Sequence, residues 1–186
     1  MSDPTASEAE IHETFAAAQH AAAEQDWAAL FALVDAADLR AIAANSVKAL
    51  LSARPEPLRA LCDEHGYGGE RVDELAAACD RMVASAMKLT KAGAAGDPGA
   101  HRQLVKDFEA TIKDGLARVA DLAAFTAALE REMRTLLGGG SISSRLLDGA
   151  TLEAVTVEAS KARGRASDGR ELRFVRRRGR WLLRLR

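Results

Sequence analysis

The sequence predicts an α+β fold, with a helix-rich N-terminal two-thirds packed on a C-terminal antiparallel β-meander. Three observations carry this. Apolar residues recur at helical spacing from about residue 8 to 137. Gly138-Gly139-Gly140 ends that pattern. From Ser141 the period drops to two, with turn signals at Ser167-Asp168-Gly169 and Arg178-Gly179. A chain of 186 residues suits one domain with a real core, assigned to 8–186 behind a flexible tail at 1–7.

The helices follow in order. Ser7 and Glu10 have the spacing of a capping box, ahead of Ile11, Phe15, Ala18 and Ala22 on one face. Asp26 caps a short second helix with Trp27, Leu30, Phe31 and Val34 on its apolar side. A third runs from about Asp38 through Leu39, Ile42, Val47 and Leu50 and stops before Pro55 and Pro57. Leu58 to His65 forms a brief turn ended by Gly66. The clearest helix spans about Glu70 to Lys91, with Val72, Leu75, Cys79, Met82, Val83, Ala86 and Leu89 on one stripe. Residues 93–99 break the pattern as a mobile loop. Two helices follow, one with Leu104, Phe108, Ile112, Leu116 and Val119. The other is capped by Asp121 and carries Leu122, Phe125, Leu129, Met133 and Leu136.

Turn chemistry fixes the register of the meander. A three-residue loop with Gly169 left-handed sets Gly164 opposite Leu172 and Ala162 opposite Phe174. A two-residue turn at Arg178-Gly179 sets Phe174 opposite Leu183 and Leu172 opposite Leu185. The same choices align Arg163, Arg173 and Arg184 on the other face, and a one-residue slip would bury arginines.

Composition bounds the function. Hydrophobic residues make up 48%, which excludes a disordered tail, although forty are alanines that bury little area. No apolar stretch reaches the roughly 20 residues of a membrane span. Residues 1–13 lack the features of a secretory signal. Cys62 and Cys79 are too few for a disulfide scaffold, so a reducing cytoplasm is expected. Residues 161–186 hold eleven Lys/Arg and two acids, whereas the first 160 hold fifteen bases and twenty-five acids.

The opening, an amphipathic helix followed by Gln25-Asp26-Trp27-Ala28-Ala29-Leu30-Phe31, resembles that of the NTF2-like (SnoaL-like, cystatin-like cone) superfamily. The ending is similar too. Val155-Thr156-Val157, the small residues Ala162, Gly164 and Ala166, and a final Gly179-Arg180-Trp181-Leu182-Leu183 match its closing strands. The resemblance covers 8–39 and 150–186 and implies a cone. The helical middle, about 40–137, is then either an insertion or the main body of the fold. It further implies a non-catalytic module acting by protein association, with a small apolar ligand between helices and sheet. Trp27, Phe31, Leu172, Phe174, Trp181 and Leu183 would line that ligand's pocket. The alternative is an isomerase- or cyclase-like enzyme on a small hydrophobic substrate. Isomerase chemistry of that kind needs a carboxylate base and an oxyanion donor. The single tyrosine, Tyr67, sits between two glycines in a loop, and Asp26 serves as a cap, so no catalytic residue is assigned.

Other motifs are incomplete. Ser85-Ala86-Met87-Lys88 has the S-x-x-K spacing but no partner motifs and lies within the strongest helix. Cys62-x-x-His65 lacks a second compact pair, so no metal or cofactor is expected. The basic sheet face stands out: Arg163, Arg165, Arg173, Arg177, Arg180, Arg184 and Arg186. It suits an acidic protein partner or self-association as a homodimer. Polyanion or nucleic-acid binding is the less favoured use, because Phe174 and Trp181 point inward and no aromatic is left to stack on bases.

Overall fold

A computed structural model describes residues 4–91, 97–138 and 149–185. It is α+β, with seven helices followed by a four-stranded antiparallel sheet among these residues. The helices are α1 (Pro4–Ala23), α2 (Trp27–Ala32), α3 (Ala36–Ala53), α4 (Pro55–Glu64), α5 (Glu70–Lys91), α6 (Pro98–Arg118) and α7 (Leu122–Leu136). The strands are β1 (Leu152–Glu158), β2 (Lys161–Ala166), β3 (Glu171–Arg177) and β4 (Arg180–Arg184), hydrogen-bonded in chain order. No helix among the described residues is long and apolar enough to cross a membrane.

The chain divides into two compact units, residues 1–41 with 137–186, and residues 42–136. In the first, α1 lays Ile11, Phe15, Ala18 and Ala22 into the core and packs on α2, β1 and β4. Asp26 caps α2 by accepting a hydrogen bond from the Ala29 N–H at 3.0 Å. The sheet has the expected register. Gly164 faces Leu172, Ala162 faces Phe174, and Phe174 faces Leu183. Arg178 and Gly179 both have positive φ (49° and 82°), the type I′ geometry that a two-residue hairpin turn requires. Gly169, at φ 85°, closes the three-residue loop. One pairing had no signal in the sequence: Val34 bridges Leu183 in parallel. There the Leu183 N–H donates to Leu33 and the Asp35 N–H to Leu183.

The second unit is helical with its own core, built on Val47, Leu50, Leu58, Leu75, Ile112, Phe125 and Leu129. Asp97 caps α6 through the Gly99 and Ala100 N–H groups, and Asp121 caps α7 through the Ala124 N–H.

Several local expectations are corrected. α1 begins at Pro4, so Ser7 lies within the helix, buried, and residues 4–7 are helical. Proline is favoured at a first helical position because its missing N–H is an orphan there anyway. The same rule explains α4, where Pro55 and Pro57 open a ten-residue helix instead of a brief turn. α3 starts at Ala36, two residues before Asp38. The α5 stripe fades: Val72 and Leu75 are buried, but Val83 is 49% exposed, as is its neighbour one turn on, Met87, at 55%. Tyr67 is in a loop as expected, yet fully buried and stacked on Phe125 at 5.8 Å. The Ser141 end of the period change and residues 93–96 of the break lie outside the described residues.

Candidate functional site

The outward face of the sheet is built by strand alternation. Residues 161, 163 and 165 of β2, 171, 173, 175 and 177 of β3, and 180, 182 and 184 of β4 share that face by the pairing register. Arg163, Arg173 and Arg184 are directly opposite one another in one row, as expected, and Arg165 faces Glu171. Arg186 lies outside the described residues.

The face is concave. A cleft of about 360 Å³ opens on it, lined by Lys161, Arg163, Arg173, Arg177 and Arg184 around Val175. Val175 is buried although it points outward, with Lys161 and Leu182 on either side of it in register.

Two of these cations reach buried aspartates. Arg184 Nε donates to Asp38 Oδ2 at 2.8 Å, and the Leu185 N–H donates to the same oxygen at 2.9 Å. Arg177 Nε donates to Asp35 Oδ2 at 3.3 Å. Both aspartates are buried, and Asp35 Oδ1 also accepts the Ala37 N–H at 3.0 Å, holding the first turn of α3. The hydrogen bond to Asp38 pushes the Arg184 guanidinium pKa above its ordinary value, aided by the charges of Asp38 and Asp35. At the other side of the sheet, Arg176 reaches Glu10 at 3.6 Å across the Trp181 ring.

These contacts redraw the charge asymmetry of the chain. Residues 1–41 hold eight acids and one base, and residues 137–186 hold twelve bases and five acids. Both segments belong to one compact unit, which therefore has thirteen charges of each sign. Asp35 and Asp38 were not legible as partners of the arginines. The only signal was an acidic pair at a helix start, which also suits capping.

Arg163 is different. Its neighbours on the face are Lys161 and Arg165 along the strand, Arg173 on β3 and Thr156 on β1. Among the described residues it makes no ion pair. Arg173 has Glu171 at 3.0 Å, an exposed pair, and Lys161 faces Glu158 across β1.

The residues expected to line an apolar pocket lie on the opposite side. Trp27, Phe31, Phe174, Trp181 and Leu183 are each at most 5% exposed, and Leu172 is half-buried. The Cys62 and His65 pair goes to the helical core. Cys62 is fully buried and its thiol pKa is pushed up to about 12 by burial, then by the nearby Asp63 charge. The His65 ring packs 5.5 Å from Phe125.

No protein-family model matches the chain, and no curated protein or solved structure matches it either.

Proposed function

We propose that the chain is a non-catalytic, NTF2-like binding module of the cytoplasm whose arginine face takes an acidic protein partner, a second copy included. The observation that carries this is the cleft ringed by Lys161, Arg163, Arg173, Arg177 and Arg184. The chain's own Asp35 and Asp38 illustrate the chemistry, each held by an arginine of that ring. The near-complete burial of Trp27, Phe31, Phe174 and Trp181 favours this outer face over a ligand between helices and sheet. The superfamily resemblance is supported by one fact of organisation: both stretches that carry it fall in the same compact unit, with the helical middle forming another.

The test is fluorescence anisotropy with a labelled Glu-rich peptide. Binding should weaken steeply between low and physiological salt. It should be lost in an Arg163→Glu, Arg165→Glu double variant, which spares the structural Arg184. Binding that ignores both salt and these charges, or none at low salt, would remove the reading.

A further inference from the structure

Like charges placed directly opposite on neighbouring strands destabilise a sheet. The row Arg163–Arg173–Arg184 has two such contacts. One end is compensated, since Arg184 is held by the buried Asp38. The other end is not. Arg163 has cations on three sides and no ion pair among the described residues. Glu171 pairs with Arg173 at 3.0 Å, an exposed contact that a stronger anion can displace, and Glu158 sits across from Lys161, so neither acid is opposite Arg163.

Geometry says which anion would relieve it. Lys161 and Arg163 are alternate residues of one strand, about 7 Å apart on the same face, and Arg173 is about 5 Å across from Arg163. All three border one concave cleft, with Ser160 at its rim. A single carboxylate is matched by a single guanidinium fork and a backbone N–H, as Asp38 is by Arg184 and Leu185. Three cations from two strands instead match a tetrahedral group with about two negative charges and oxygens directed three ways.

We infer that Lys161, Arg163 and Arg173 form a subsite for a dianionic phosphoryl group, the side chain of a phosphorylated residue on the acidic partner. This rests on the reading of the face as a site for acidic partners. Arg163 is its keystone: it weakens the empty sheet and is repaid only when the anion is bound.

That arrangement predicts a change of sign. Thermal unfolding is followed for the wild type, Arg163→Gln and a control in the other compact unit, Lys113→Gln, in sodium chloride and in inorganic phosphate at matched ionic strength. Phosphate should raise the wild-type and control midpoints by about 2 °C or more. Arg163→Gln should unfold no lower than wild type in chloride and gain clearly less from phosphate than wild type and control, keeping only the general stabilisation by an excluded anion. A wild type indifferent to phosphate, an Arg163→Gln chain that gains as much as wild type, or one that melts lower in chloride would each overturn the subsite. In parallel, a Glu-rich peptide with one phosphoserine should bind wild type about tenfold or more tighter than the same peptide with serine. Equal binding of the two peptides overturns the phosphoryl subsite and leaves the acidic-partner reading standing. Failure of both peptides at low salt overturns that reading itself.

Discussion

Cys62 and Tyr67 show what burial does to single residues in the helical unit. Both are fully buried, and burial is the main reason their pKa values rise, Cys62 from 9.0 to about 12 and Tyr67 above its ordinary 10.0. The folded chain therefore holds these protons more tightly than the unfolded chain does. Their contribution to stability is complete below about pH 9 and is lost as pH climbs toward 12. Urea unfolding at pH 8 and pH 10.5 should show a loss at the higher pH, and Cys62→Ala should shrink that loss while being less stable at pH 8. Why Tyr67 went unread as a core residue is also a single-residue matter. Its flanking glycines announce a loop, and loop side chains usually face water. The cue lay elsewhere, at Gly115 inside α6, where a Cβ would stand 2.4 Å from the Tyr67 ring. A glycine in mid-helix costs about 1 kcal/mol relative to alanine and needs a packing reason.

At the scale of elements, the meander was the most legible part of the chain because two independent signals agree. Turn residues fix loop length, loop length fixes register, and the register separates apolar from basic side chains. The face of α1 was readable from its spacing alone, down to Ile11, Phe15 and Ala18, whereas the α5 stripe ran past its buried part to the exposed Val83. Helix starts were less legible, because proline both ends and begins helices, and Pro4 and Pro55 do the second. The candidate site was half legible. Periodicity placed the arginines on one face, but periodicity is local and gave no hint that Asp35 and Asp38 dock there from 142 and 146 residues away. That docking ties α3 to β4. Asp38→Ala removes the acceptor of Arg184 Nε and of the Leu185 N–H, while Asp35 stays 4.0 Å from the one-third-exposed Arg184, so it should cost about 1–3 kcal/mol. Chemical denaturation measures this, and a cost below about 1 kcal/mol would show the contact to be incidental.

The whole molecule is best followed by where its reporters sit. Both tryptophans, Trp27 and Trp181, belong to the unit that holds the sheet, and helices α4 to α7 belong to the other. Each unit has buried apolar residues of its own. Tryptophan fluorescence should therefore report one unit, and far-ultraviolet circular dichroism mainly the other. In a urea titration the two signals should give different midpoints, and coincident curves would show that the units unfold as one cooperative block. No periodicity argument reaches this level. The division was unreadable because helical spacing runs without a break from one unit into the next inside α3.

The parallel bridge between Val34 and Leu183 has a consequence for how the chain is made. Synthesis delivers residue 34 long before residue 183, so the sheet-bearing unit must wait with α1 and α2 unfinished. The segment 42–136 emerges complete in the meantime and has what it needs to collapse around its own apolar side chains. Order of birth thus runs against order of assembly: residues 11–34, made before the sheet, are locked only after it. For that interval Ile11, Phe15 and Trp27 stand without their sheet, apolar surface exposed while the rest of the chain is made.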